Sequence, residues 1–177
     1  MSTIKVDTLT DTSGNSIPYM KGAVLQVVST TKTDKFSATP ATATVTDITG
    51  LSVSITPTSA SSKILVMYSI SGGAANVGWG TVLKRNGTAV VVGDASGSRS
   101  QVTDLGVMYG YSDSSSTTAY NYLDSPSTTS AVTYQLAIFN QRGSAQALTI
   151  NAPVNDSTDA AYVARATSTI TVMEIGG

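Results

Sequence analysis

Thr81-Val82-Leu83-Lys84-Arg85-Asn86-Gly87-Thr88-Ala89-Val90-Val91-Val92 holds the clearest local signal in the chain. Asn-Gly between two runs rich in valine and leucine predicts a two-residue type I′ turn, since both central residues need positive φ and these two reach that region at least cost. The flanks are then neighbouring antiparallel strands. A period of two recurs on either side, in Leu51-Ser52-Val53-Ser54-Ile55, Ile64-Leu65-Val66-Met67-Tyr68-Ser69-Ile70, Val132-Thr133-Tyr134-Gln135-Leu136-Ala137-Ile138-Phe139 and Ser168-Thr169-Ile170-Thr171-Val172-Met173-Glu174-Ile175. Alternation at that period places apolar side chains on one face of a strand. A second hairpin is predicted around Ser112 to Thr118, with Tyr109 and Tyr111 facing Tyr120 and Tyr122 across it. A third joins Phe139 to Leu148 through Asn140-Gln141-Arg142-Gly143-Ser144.

Roughly eight to ten short strands, closely spaced turns and no convincing helix predict an all-β protein, an antiparallel β-sandwich of jelly-roll-like form. A chain of 177 residues suits one domain with a short arm. Asp11-Thr12-Ser13-Gly14-Asn15 reads as a turn and Pro18 interrupts the run before Gly22, so residues 1–21 are expected to be an N-terminal arm and residues 22–177 the sandwich. Within the arm, Ile4, Val6 and Leu9 are candidate anchoring residues, apolar side chains that order when packed on another chain.

Charged residues are 12% of the chain, the net charge is −1, and serine plus threonine make up roughly 30%, a hydroxyl-rich, weakly charged composition that suits β-rich extracellular or virion proteins. Ten basic residues against eleven acidic ones, the basic ones scattered, argue against nucleic-acid binding by phosphate neutralisation. No run approaches the roughly 20 apolar residues that span a bilayer, and no secretion signal is visible, so membrane insertion is not expected and synthesis in a cytoplasm is.

The chain contains neither histidine nor cysteine. A Ser-His-Asp triad, a cysteine nucleophile and a conventional zinc or haem site are therefore excluded, and no disulfide stabilises the fold. Ser29-Thr30-Thr31-Lys32 has the Ser-x-x-Lys spacing of some acyl-transfer enzymes without the helix or companion motifs that the chemistry needs. Gly78-Trp79-Gly80 lacks the third glycine and following helix of a dinucleotide site. Asp94, Asp104, Asp113, Asp124, Asp156 and Asp159 fall near predicted loops, where aspartate serves turns, although a carboxylate pair is also the machinery of glycoside hydrolysis. Asp94 to Gly97 and Asn155 to Asp159 offer oxygen ligands without EF-hand spacing. No catalytic residue, cofactor or metal is assigned. For contact with a receptor or partner the candidates are Tyr109, Tyr111, Tyr120, Tyr122 and Trp79, because flat amphipathic rings stack on sugars or protein surfaces; the alternative for the tyrosines is a cross-strand ladder, and for Trp79 the core.

Ser2-Thr3-Ile4-Lys5-Val6-Asp7-Thr8-Leu9, with Asp11 to Asn15 after it, resembles the opening of virion proteins of aquatic tailed phages, cyanophages in particular. Gly22-Ala23-Val24-Leu25-Gln26-Val27-Val28, Val45 to Pro57, Ser61 to Val66 and Gly93 to Arg99 are similar to tail-fibre-like domains of that group. The resemblance implies a homotrimeric β module, held to the particle by its N-terminal part, with loops such as Ser112 to Thr118 and Asn151 to Asp159 displayed outward. The expected function is that of a short fibre or spike involved in host attachment, located in the virion. Its expected partners are itself, other virion proteins of tail or capsid, and a host surface glycan or receptor. A head decoration or cement protein is the alternative within virions. Outside structural roles stand a surface-polysaccharide depolymerase, opposed by small size and no visible β-helix repeat, and a cellular trimeric signalling jelly roll, opposed by the missing secretion signal.

Overall fold

A computed structural model describes residues 12–13, 21–74, 78–107, 114–156, 161 and 163–177. Among them run eleven strands: β1 (Val24–Lys32), β2 (Phe36–Ala38), β3 (Val45–Ile55), β4 (Lys63–Ala74), β5 (Gly78–Arg85), β6 (Thr88–Val91), β7 (Asp104–Val107), β8 (Ser116–Asp124), β9 (Val132–Asn140), β10 (Leu148–Ile150) and β11 (Ser168–Ile175). All pairings are antiparallel. The first sheet runs β1-β11-β4-β8, and β2 and β10 prolong the rows of β1 and β11 along the far part of β4. The second runs β3-β9-β5, with β6 and β7 sharing the remaining edge of β5. Successive strands pass back and forth between the sheets in the order of a jelly roll, a two-sheet antiparallel sandwich.

The Asn86-Gly87 turn forms as its residue types require, with φ of 49° and 85° and Arg85 opposite Thr88. Of the other two expected hairpins, the one around Ser112 to Thr118 has its first arm outside the described residues, and the one through Asn140 to Ser144 does not form. β7 pairs with β5 in the second sheet and β8 with β4 in the first, so the chain crosses the sandwich after β7. Tyr109 and Tyr111 lie outside the described residues, and the described partner of Tyr120 is Tyr68. β9 and β10 also lie in different sheets. At that crossing Asn140 is fully buried, and its Nδ2 donates to the carbonyls of Pro40 and Ser144, each at 2.9 Å, turning the chain away.

Alternation builds the core. Ile64, Val66, Tyr68 and Ile70 of β4 face Leu83 of β5, Leu136 and Ile138 of β9, and their neighbours in one cluster. In β3, Ile48 and Leu51 are both fully buried although an odd separation in a regular strand sets residues on opposite faces. The register shifts between Asp47 and Ser52 and Gly50 takes φ of 82°, a bulge that turns both inward. Gln135 Nε2 satisfies the loosened carbonyls, donating to Ile48 at 2.9 Å and Leu51 at 3.1 Å.

Trp79 is fully buried because β4 carries glycine opposite it: a Cβ on Gly72 would stand 2.9 Å from the indole. Gly72→Ala is expected to displace the ring and destabilise the fold by about 1–3 kcal/mol, with a shift in the emission of this single tryptophan; an unchanged spectrum and midpoint would contradict the packing argument.

Candidate functional site

The structure redistributes the residues named from sequence. Trp79 is a core side chain and not a contact residue, which corrects that expectation. Tyr120 and Tyr122 project inward from β8, half-buried against the core, and Tyr120 stacks on Tyr68 with ring centroids 6.1 Å apart. They stabilise the sandwich and are not a displayed platform. Ile4, Val6 and Leu9 lie outside the described residues. Asn151 to Pro153, expected in an outward loop, are buried.

On β1, Ser29 is exposed while Lys32, 6% exposed, turns inward and pairs with Asp34 at 2.7 Å; three residues along a strand put the two on opposite faces, so no Ser-x-x-Lys dyad forms. The carboxylates are tied to structure. Asp124 accepts from Arg85 and Tyr134, Asp104 from Thr118 Oγ1 and the Leu105 amide, and Asp47 from Lys84 at 2.6 Å. Asp156 accepts from Lys35 at 3.0 Å and Arg165 at 2.6 Å, bonds that hold its carboxyl below the usual carboxylate range. Among the described residues no three carboxylate, imidazole or thiol groups converge to hold a metal.

Glu174 is a pin of another kind, fully buried on β11 with no cation beside it among the described residues. Its Oε2 accepts from Gln26 Nε2 at 2.6 Å, and its Oε1 accepts from the backbone and hydroxyl of Thr58, each at 2.7 Å. Burial raises its pKa, but these donors outweigh burial and bring it down to about 2 from 4.5. The folded state therefore favours the carboxylate, so this contribution is complete above pH 4.5 and is lost as pH falls toward 2. It amounts to about 3 kcal/mol. Glu174→Gln is expected to flatten the fall of unfolding free energy across that window; an unaltered slope would contradict the assignment.

The outer faces of the two sheets differ. On the first, Val27 lies opposite Met173, Met173 opposite Leu65, and Leu65 opposite Leu123, an apolar row crossing four strands and spanning about 14 Å at ordinary strand spacing. Val27 is 54% exposed and Leu123 48%. The next row, Ser29, Thr171, Met67 and Asn121, and the one beyond, Thr31, Thr169, Ser69 and Ala119, carry no charge. Reading for one apolar face missed this surface. Its signal was Ile64-Leu65-Val66-Met67, apolar on both faces, which is the pattern of a strand covered on both sides. The second sheet's outer face carries instead the Lys84–Asp47 ion pair and a lateral cleft.

These features define the class: an antiparallel jelly-roll sandwich with three adjoining uncharged rows on one outer sheet face, edged by the exposed Lys63, and buried polar pins between its layers. No family model matches the sequence, and no curated protein matches it. Among solved structures the chain is similar to one in the structure of the infectious bursal disease virus Gt strain, at 14% identity and a TM-score of 0.45, covering 98% of this chain and 43% of that one. It is likewise similar to the VP2 subviral particle of that virus, at 13% identity and a TM-score of 0.42, covering 86% and 38%. The chain thus spans less than half the length of the chains it matches.

Proposed function

We propose that this chain is a structural protein of a tailed-phage virion, a homotrimeric short fibre or spike module that contributes to host attachment and performs no turnover. The observation that carries the assembly is the outer face of the first sheet, where Val27, Met173, Leu65 and Leu123 form an apolar row beside two further uncharged rows, in a chain whose surface charge is sparse. Three copies about one axis bury such faces and cover the sheet edges. The resemblance of Ser2 to Leu9 and Asp11 to Asn15 to cyanophage virion proteins supports the station on a phage particle.

Leu123→Asp is expected to convert a trimer into a folded monomer, read as a threefold drop in mass by light scattering with the far-ultraviolet circular dichroism retained, because the partner would have to bury an unpaired charge. A wild-type chain that runs as a monomer at micromolar concentration would sink the trimer. Gold-labelled antibody on phage particles tests the station: label at the tail supports attachment, label over the head makes this a decoration protein, and unlabelled virions overturn the reading.

A further inference from the structure

We infer that the cleft at the end of the second sheet's outer face, between Arg99 and Arg142, binds an acidic saccharide. The inference rests on the attachment role proposed for the chain and names the ligand class that such a protein would take.

The cleft encloses about 420 Å³, within the usual size of ligand sites and enough for roughly one or two sugar rings. Its floor is apolar. Phe139 of β9 and Leu105 of β7 both lie opposite Gly80 of β5, and they close over it because glycine leaves the space: a Cβ there would stand 3.3 Å from Leu105 and 3.4 Å from Phe139. Leu105 nevertheless remains 48% exposed, an apolar side chain turned into an open cleft. Thr42, Ser100 and Gln141 add hydroxyl and amide groups to the lining. An apolar floor with hydroxyl and amide groups in the lining suits a pyranose, which offers one C–H face and a ring of hydroxyls.

The charge selects the acidic sugars. Lys32, Lys35, Lys84, Arg85 and Arg165 each have a carboxylate partner, whereas among the described residues Arg99 and Arg142 have none. Arg99 donates only to the neutral Ser96 hydroxyl, at 2.9 Å. Two arginines lining one cleft match a carboxylate or sulfate, to which arginine binds in bidentate fashion. The adjoining depression carries Asp94 and Asp104, which steers an anionic ligand to the arginine side of Leu105.

Both arginine loops are held before any ligand arrives. In the first, Gly93 N donates to Val102 O at 3.1 Å, Arg99 N to Ser96 O at 3.1 Å, and Gln101 Nε2 to Gly93 O at 2.6 Å. In the second, Arg142 N donates to Asn140 Oδ1 at 2.9 Å while Asn140 Nδ2 holds Ser144 O at 2.9 Å. Loops ordered in advance lower the entropy lost on binding. In the cleft at the other end of the sandwich Arg85 is already engaged with Asp124 and is not free for an anion.

The test is calorimetric titration of the intact protein with a galacturonate tetrasaccharide, its methyl ester, and a glutamate-rich peptide. Binding of the acid form, at least tenfold weaker binding of the ester, and a tenfold loss in the Arg99→Gln, Arg142→Gln double variant with its thermal midpoint unchanged is the expected result. Equal binding of acid and ester, no binding, or binding that the double variant retains would overturn the inference. Tighter binding of the peptide would overturn it also, and would make the cleft a contact for a protein partner. Tail labelling on virions with no saccharide binding would fail the cleft and leave the attachment reading standing; absence from virions would fail that reading whatever the cleft binds.

Discussion

Asn151→Ala is expected to lower the unfolding free energy by about 4 kcal/mol, close to the upper range for a single substitution. Asn151 sits where two rows of the first sheet break, between β10 and β11 and between β1 and β2. Its Nδ2 donates to the carbonyls of Lys32 at 2.8 Å and Asp34 at 3.1 Å, and its Oδ1 accepts from Ser168 Oγ at 2.6 Å. Its backbone N–H donates to Ser71 O at 2.8 Å and its carbonyl accepts from Ala166 N at 3.1 Å. The residue is fully buried, so water does not replace what alanine removes, and each buried polar group left unmade costs about 1–3 kcal/mol. A φ of 64° adds about 1 kcal/mol for alanine, since asparagine tolerates the left-handed region better. For a chain of this size the loss corresponds to a melting shift of roughly 10 °C. Asn151→Gly relieves the backbone while still removing the side-chain bonds, so it is expected to recover only the smaller part. A shift below about 1 kcal/mol for the alanine variant would mean that the breaks are held elsewhere.

Asp124→Ala is expected to cost about 3 kcal/mol. The carboxylate is 3% exposed on β8 and joins the layers across one end of the sandwich. It accepts from Arg85 Nη1 at 2.8 Å through both oxygens, from Tyr134 Oη at 2.6 Å and from the Ser125 amide at 2.9 Å. Without it the Tyr134 hydroxyl, fully buried, loses its acceptor. Burial already pushes that phenol well above the ordinary tyrosine value, and the bond to Asp124 pushes it further. The Arg85 side chain is 32% exposed and can turn to water, which keeps the effect below that of a wholly enclosed pair. Tyr134→Phe, which leaves the ion pair intact, is expected to cost about 1 kcal/mol. If Asp124→Ala and Tyr134→Phe proved equal in denaturant unfolding, the arginine would be contributing nothing and the layers would be joined by packing alone.

Tyr68 and Thr81 make a second cross-layer link, at 2.8 Å between hydroxyls, and Thr118 with Asp104 a third. These links share a surface-like residue chemistry in buried or half-buried places. Threonine and aspartate near a predicted turn read equally well as exposed, and only the partner strand decides. That is why Asp124 reads from sequence as near a loop, and why the tyrosines of β8 read as contact candidates or a cross-strand ladder.

Local chemistry alone settled a good deal. Two-residue periodicity without helical spacing made the chain all-β, because side chains alternate across a pleated strand. Asn86-Gly87 set its own turn and register, because the positive φ it needs is a property of those two residues. The absence of histidine and cysteine removed whole classes of chemistry whatever the fold. What the sequence left open was which strands meet, since alternation says that a strand has an inner face but not which strand lies beside it. The hairpin expected at Asn140 to Ser144 failed for that reason. Only the tertiary structure sent β8 and β10 to β4, turned Trp79 onto Gly72, left Val27 and Leu123 at the ends of an apolar row, and brought Arg99 and Arg142 to one cleft, because contacts between residues far apart in the chain are decided by packing of the whole sandwich.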